Sequence, residues 1–163
     1  MLVDRDGLVQ VDTWRYLGSE ELPTYAAHTV LQPQQWDDYH MRFGMPAEGL
    51  WLAADQDPAQ VLPLLGHLGL IVVEFAKSRD GRGFTLARLL RERHGFSGDL
   101  RAAGPLLPDQ FAMLLQCGFT SVLVAASVPA QRWQDAAAAH RQARPRTLLQ
   151  RLSQCSEASP CSA

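Results

Sequence analysis

The sequence has no long apolar segment and no large excess of charge of either sign. A helix that crosses a bilayer needs about 20 apolar residues, and the most apolar stretch, 62–73, is broken by Gly66, His67 and Gly69. The N-terminus, MLVDRDGLVQ, has acidic residues where an export signal would have basic and apolar ones. A formal charge of −2 gives no reason to expect a nucleic-acid partner. We therefore expect a cytoplasmic protein with neither a membrane nor a nucleic acid as partner.

Lysine, cysteine and nucleotide-binding motifs are also scarce or missing. Lys77 is the single lysine among 15 basic residues. The three cysteines, Cys117, Cys155 and Cys161, are too few for a disulfide framework, and the last two have no nearby histidine that could complete a zinc site. The dinucleotide fingerprint GxGxxG is absent, since Leu86 stands at its last position, and so is the Walker A motif. We expect no resident cofactor and no metal.

What the sequence does contain is an alternation of short apolar strands and amphipathic helices. Strands are predicted in HTVLQ, GLWLAAD, LIVVEFAK, DLRAAG and SVLVAA, each followed by a helical segment. Such alternation predicts an α/β fold with about five βα units and a mainly parallel sheet, either an open three-layer sheet or a partial βα barrel. Two apolar runs around Asp6-Gly7 predict a preceding N-terminal β-hairpin, and TWRYLGSEELP then reads as a connector.

The length of 163 residues fits a single domain with one core. We assign residues 1–145 to this α/β domain, with the hairpin and connector in 1–20. The remaining segment, 146–163, is rich in small and polar residues, and we expect it to be a flexible tail. Pro63 falls inside the helix predicted after the second strand of the alternation and is expected to shorten or kink it.

The segment EFAKSRDGRGFTLARLLRERHG, residues 74–95, is the strongest candidate for a binding site. A strand leads through a glycine-containing turn directly into a helix, and ligands of α/β proteins bind at the carboxyl ends of parallel strands. Gly81 and Gly83 would let the backbone approach a ligand, and the first helical amides, up to Phe84, would face it. Together with Arg82 and Lys77 they predict a site for a small oxyanion. The alternative is that the glycines serve only the turn.

Glu74 lies in an apolar strand and should therefore be paired or protonated. Arg101, in the next predicted strand, is its expected partner, and a buried ion pair is the simpler interpretation. The alternative interpretation is that Glu74 and Lys77 are catalytic, with Glu74 as an acid–base group and Lys77 as a base or a Schiff-base nucleophile. Both interpretations are kept.

The stretch VEFAKSRDGRGFTLARLLRERHGFSGDLRAAGPLLPDQFAMLLQCGF resembles a bacterial family of unknown function whose members are described as oxidoreductases involved in sulfite reduction. The resemblance runs through the DGRG turn and a set of charged residues to which we give supporting roles: Asp80, Arg88, Arg101 and Asp109. A weaker likeness extends upstream through DTWRYL and HTVLQPQQW. Pro105 departs from the family pattern, which has an aspartate there.

The resemblance implies a role in assimilatory sulfite reduction, the six-electron conversion of sulfite to sulfide. Three functions follow as hypotheses. The first is an accessory protein or oxidoreductase that binds a small oxyanion at the DGRG turn and works with sulfite reductase. The second is a non-catalytic module that docks on a sulfur-assimilation enzyme through its outer helices and the basic C-terminal segment. The third is a small-molecule enzyme that uses Lys77 at a strand end.

Overall fold

A computed structural model describes residues 1–18 and 27–143 of the chain. They form one eight-stranded, mostly parallel sheet with helices between its strands. Along the sheet the strand order is β2-β1-β8-β7-β6-β5-β4-β3, and the strands are β1 (Leu2–Asp4), β2 (Val9–Gln10), β3 (Arg15–Tyr16), β4 (Thr29–Leu31), β5 (Gly49–Ala53), β6 (Leu70–Glu74), β7 (Asp99–Ala103) and β8 (Ser121–Leu123).

Strands β3 to β8 run parallel, whereas β1 is antiparallel to both β8 and β2. The predicted N-terminal hairpin is therefore confirmed, with Gly7 in its turn at a φ of 81° that favours glycine. Helical segments follow each of the strands β4 to β8, which confirms the alternation. The α-helices are α1 (Trp36–Phe43), α2 (Arg82–Arg88), α3 (Phe111–Gln116) and α4 (Ala130–Ala143).

Several helical segments depart from the regular α-helix. After α2 the chain continues as a π-helical turn, Leu89–Arg93, and ends at Gly95, which has the positive φ expected of a helix stop. The segment after β5 is not an α-helix but two 3-10 helices, Pro58–Gln60 and Leu62–His67. Pro63 explains this difference, because its ring and its missing amide prevent a regular α-helix there.

All of the helices pack on one face of the sheet. The main core joins strand residues such as Leu50, Ile71 and Val73 with Leu90 and Trp133 from the helices. The opposite face carries a smaller cluster that contains no helical residue. The sheet is thus curled into a half-barrel with helices on its convex side, so the partial βα barrel is confirmed over the open three-layer arrangement.

Two predicted boundaries need correction. The connector TWRYL contains strand β3, which is a sheet edge, and sequence reasoning missed it because only two of its residues pair. Strand β6 ends at Glu74, so Lys77 lies three residues beyond the strand and not at its tip.

The predicted tail, 146–163, lies outside the described residues. Within them, no helix combines the length and the apolarity that crossing a bilayer would require.

Candidate functional site

A cleft of about 360 Å³ opens at the carboxyl edge of the sheet, between the ends of β5 and β6. We call it the edge cleft. One wall is the turn after β5 and the other is the helix that starts at Arg82; the lining includes Asp55, Gln56, Pro58, Arg82, Thr85 and Leu89. This is the edge at which α/β proteins bind their ligands, and the DGRG turn lies on it as the sequence predicts.

Arg82 is held at the mouth of the edge cleft by two carboxylates. Its Nε and Nη2 donate to the two oxygens of Asp80, at 2.9 and 2.7 Å, which fixes the plane of the guanidinium. Its Nη1 donates to Asp55 at 3.3 Å, and both of these side chains are about 60% exposed. The contact with Asp55 is therefore the longer and the more solvated of the two. A ligand could displace Asp55 without disturbing Asp80.

Asp80 also accepts a hydrogen bond of 3.1 Å at its Oδ1 from the backbone amide of Arg82, the first residue of α2, and so satisfies one of the amides that have no partner within the helix. The Arg82 side chain, its amide and the nearby charge of Lys77 together lower the pKa of the Asp80 carboxyl to about 2. Asp80 is therefore ionised at neutral pH. It orients Arg82 and is not available as a proton donor.

We expect the Asp80 carboxyl to titrate near pH 2 in the folded protein, rather than near its ordinary value of 3.8. Because this pKa is depressed, the stability it contributes is fully present above about pH 4 and is lost as the pH falls through about 2. NMR observation of the side-chain carboxyl carbon during an acid titration measures the midpoint. In Arg82→Ala it should move toward 3.8, and in Arg88→Ala, on the same helix, it should not move. A wild-type midpoint near 3.8 would show that Arg82 is not held by Asp80.

The two glycines of the turn have different roles. A Cβ on Gly83 would lie 2.5 Å from the ring of Phe75, so Gly83 is required for packing of the helix on the end of β6. A Cβ on Gly81 would meet nothing within 4 Å, and its φ of −71° suits any residue. Phe84 is half-buried and packs edge-on against Phe75. Of the two glycines, only Gly81 has free space for a ligand above its backbone.

Other residues assigned to this edge lie around the turn. Lys77 is exposed and close enough to Asp80 to influence its pKa. Arg88 lies exposed on α2 beyond the cleft, and Asp109 lies exposed in the 3-10 turn Pro108–Gln110. Sequence reasoning missed the role of Gln110, whose side chain donates to the carbonyl of Ser78 and so joins the turns that follow β6 and β7.

The predicted ion pair between Glu74 and Arg101 is wrong. The two side chains do share the concave face of the sheet, because Glu74 pairs with Ala103 in register and Arg101 with Val72. Glu74 is nevertheless exposed, and its carboxylate accepts a hydrogen bond of 2.7 Å from the indole Nε1 of Trp51. The concave face is open at this end, so the burial that motivated the prediction does not occur. The structure does not bring Glu74 into the edge cleft.

Arg101 is buried, with 4% of its side chain exposed, and it pairs with two aspartates instead of Glu74. It donates to Asp99 at 2.7 Å, to Asp12 at 3.0 Å and to the hydroxyl of Tyr16. Ser121 Oγ, 3.1 Å from Nε, completes this group. We call Asp12, Tyr16, Asp99, Arg101 and Ser121 the concave network.

The concave network joins β7 to the edge of the sheet at β3 across the concave face. Four strand spacings separate β7, which carries Arg101, from β3, which carries Tyr16, and in a flat sheet this would be about 19 Å. Direct contact between these two side chains requires that the edge of the sheet fold back over its concave face. Trp51 packs edge-on against Tyr16 with the ring centroids 5.7 Å apart, so these two aromatic rings also cover the concave face between β3 and β5.

The protonation states of this network follow from its contacts. Burial raises the pKa of Asp12, but hydrogen bonds from Tyr16 and Trp14 and the charge of Arg101 outweigh it, so the pKa lies below the ordinary value. Burial raises the pKa of Tyr16 well above its usual range, and Asp12 adds to the effect. Tyr16 is therefore a neutral donor to Asp12 at 2.6 Å. The arrangement is a compensated ionic cluster without a free acid or base.

A signal for β3 was present in the sequence. Asp12, Trp14 and Tyr16 occur at every second position, and this is the period that places side chains on one face of a strand. All three lie toward the concave side: Trp14 packs against the apolar cluster of that face, and the other two bind Arg101. The pattern was too short to be separated from a connector.

The profile of a bacterial protein family of unknown function, DUF934, matches residues 49–152, which is more than half of the chain. The chain belongs to this family. No curated protein matches it.

The DUF934 match begins at Gly49, the first residue of β5, and so contains both walls of the edge cleft. It also contains Arg101 but not Asp12 or Tyr16, which precede it. The DUF934 description assigns no activity, so any role of the cleft has to be argued from its chemistry. Among residues 1–18 and 27–143, no group of three or more histidine, cysteine, aspartate or glutamate side chains is arranged to hold a metal ion. Cys117 in this part of the chain is a buried free thiol.

Proposed function

We propose that this protein is an accessory protein of assimilatory sulfite reduction that binds a small oxyanion, sulfite in the first place, at the edge cleft. The observation that carries the proposal is the way in which the Arg82 guanidinium is bound by its two carboxylate partners. Asp80 orients its guanidinium through two hydrogen bonds at the mouth of a cleft, while Nη1 is bound only by a long, exposed contact to Asp55. The resemblance of the DGRG segment to proteins described in connection with sulfite reduction supports the choice of anion.

In this proposal an oxyanion replaces Asp55 at Nη1 of Arg82. A guanidinium already oriented by Asp80 loses little side-chain entropy when it binds, and this lowers the cost of recognition. Lys77 adds positive charge at the turn, and the open space over Gly81 admits the anion near the backbone. The chain binds and presents the anion, and the partner enzyme, sulfite reductase, carries out the six-electron reduction. Lys77 and Glu74 have no proton-transfer role in it.

Two substitutions with opposite expected effects test the site. Arg82→Ala removes a hydrogen bond between charged groups and should weaken sulfite binding about 10-fold or more. Asp55→Asn removes the competing carboxylate and should strengthen it about 2- to 5-fold, the range for an exposed charge pair. Isothermal titration calorimetry with sulfite, and with sulfate for comparison, measures both effects. Arg132→Ala, which removes an exposed arginine of α4, is the matched control.

The proposal also predicts an effect on the partner enzyme. At limiting sulfite, wild-type protein should change the rate of sulfite consumption by purified sulfite reductase, whereas Arg82→Ala should not. Sulfite binding that is equal in wild type, Arg82→Ala and Asp55→Asn would contradict the oxyanion site. An effect on sulfite reductase that survives Arg82→Ala would instead favour the docking module, with the edge cleft uninvolved.

A further inference from the structure

A second and larger cleft, of about 460 Å³, lies at the opposite, amino edge of the parallel strands. We call it the hairpin cleft. It is built from segments far apart in the chain: the turn of the N-terminal hairpin with Arg5 and Asp6, the segment before β7 with Ser97, and the last turn of α4 with His140 and Arg141. It is therefore a product of the whole fold and not of one local turn.

The charge of the hairpin cleft is predominantly positive. Three arginines, Arg5, Arg91 and Arg141, line it against a single carboxylate, Asp6. Asp6 accepts from Arg141 at 3.1 Å, and both side chains are more than half exposed. Arg5 makes no ion pair or hydrogen bond through its side chain within residues 1–18 and 27–143. The cleft thus presents two arginines that a bound anion could contact at its mouth.

Arg91 forms the floor of the hairpin cleft and keeps its charge without a carboxylate in contact. Its guanidinium donates to three backbone carbonyls, those of Gly118 at 2.9 Å, Gly98 at 2.8 Å and Phe96. Burial lowers the pKa of Arg91; Asp99 raises it, and the neighbouring Arg5 lowers it further. Two guanidinium groups are therefore held near each other in a partly closed space, where an anion between them would relieve their repulsion.

The size and the lining of the cleft point to the class of ligand. Liquid water occupies about 30 Å³ per molecule, so a lone tetrahedral oxyanion would leave most of this space unfilled. The half-buried side chain of Leu115 supplies an apolar surface, whereas the ring of Phe119 is turned into the core against Phe75. The exposed residue Ser97, whose hydroxyl has no hydrogen-bond partner among the described residues, lines the same space. The lining is mostly charged and polar beside one accessible apolar side chain, so it suits a small ligand whose anionic group makes the larger part of its contacts.

We infer that the hairpin cleft binds a small organic molecule that carries a tetrahedral dianionic or monoanionic ester group, a phosphate or a sulfate. Arg5 and Arg141 contact the ester oxygens, Ser97 donates to them, and the organic part packs on Leu115. This site lies at the other edge of the sheet from the edge cleft and does not depend on the function proposed for it.

The test uses the full chain with phenyl phosphate, phenyl sulfate and inorganic phosphate as probes. We expect at least one of the aryl esters to bind more tightly than inorganic phosphate in calorimetric titrations, with amide shifts in two-dimensional NMR at Ser97, Thr120 and Arg141. Arg5→Gln should weaken that binding about 10-fold. Arg132→Gln, on an exposed part of α4, should leave it unchanged. Because Arg5 has no partner among the described residues, its substitution should not affect folding.

Preference for phenyl phosphate over phenyl sulfate, or the reverse, identifies the ester and supports the site in either case. Binding should persist in Arg82→Ala, which separates this site from the edge cleft. Absence of binding by both aryl esters at millimolar concentration overturns the inference, as does an equal affinity in Arg5→Gln and Arg132→Gln. Binding of hexaglutamate at this cleft without binding of either ester also overturns it, in favour of an acidic protein partner.

Discussion

Replacing Arg101 with methionine is expected to lower the free energy of unfolding by about 3 kcal/mol, at the low end of the range for breaking a buried ion pair from one side. The substitution keeps an unbranched apolar stem but removes the guanidinium, so Asp12 and Asp99 are left without a cation between them. Their side chains are 22% and 30% exposed, so water can partly solvate them, which is why we do not expect the upper end. Urea denaturation followed by circular dichroism measures the change.

The acid dependence of stability gives an independent readout of the same network. Asp12 has a depressed pKa in the folded protein, so its contribution is present above its ordinary value of 3.8 and is lost as the pH falls through the folded value. This acid-sensitive part should shrink in Arg101→Met. Tyr16 has a raised pKa, so its contribution is present below pH 10.0 and is lost as the pH rises beyond it.

Controls separate the ionic network from a general effect of losing an arginine. Arg132→Met, at an exposed site, should change stability by less than about 0.5 kcal/mol. Adding Asp12→Asn to Arg101→Met should cost less than the sum of the two single changes, because one unpaired carboxylate is removed. A cost below about 1 kcal/mol for Arg101→Met, with unchanged Trp14 and Trp51 fluorescence, would show that the network does not hold β3 over the concave face.

The elements that could be predicted from the sequence are those whose information is local. The strand before the DGRG turn is a continuous apolar run, and the helix after it has a 3.6-residue apolar period and a glycine stop at Gly95. The turn, the helix and their position at the carboxyl edge follow from that pattern, although the helix was predicted from Phe84 and begins two residues earlier, at Arg82. Even there the engagement of Arg82 by Asp55, 27 residues away, could not be read from the chain.

The elements that could not be predicted depend on distant contacts. The hydrogen bond between Arg101 and Asp12 joins residues 89 positions apart, and β3 has only two paired residues, so neither the strand nor the network has a local pattern long enough to detect. For the same reason Glu74 was given the wrong partner. Strand alternation correctly placed Glu74 on the same face as Arg101. The concave face, however, is open at Glu74 and closed at Arg101, and this difference depends on the curl of the whole sheet.

Replacing Gly104 with alanine is expected to destabilise the protein by about 3 kcal/mol or more. The disturbance should arise at the end of the sheet that carries the edge cleft. Gly104 follows β7 with a φ of 127°, a conformation that costs an L-residue about 1–3 kcal/mol. Its Cβ would also lie 2.3 Å from the carbonyl oxygen of Phe75. Because the obstacle is backbone, no rotation of a side chain can relieve it, and the ends of β6 and β7 would have to separate.

Gly81→Ala is the matched control, because a Cβ there meets nothing within 4 Å and the φ of −71° is unstrained. It should change stability by less than about 1 kcal/mol and could increase it, since alanine restricts the unfolded chain. Chemical denaturation of both variants, together with the sulfite titration, separates the two uses of glycine at this edge. Gly104→Ala should lose stability, whereas Gly81→Ala should keep stability and weaken sulfite binding if the anion lies over its backbone. Equal stability of the two variants would show that Gly104 does not approach Phe75 closely in solution. The turns that follow β6 and β7 would then not be held at a fixed spacing.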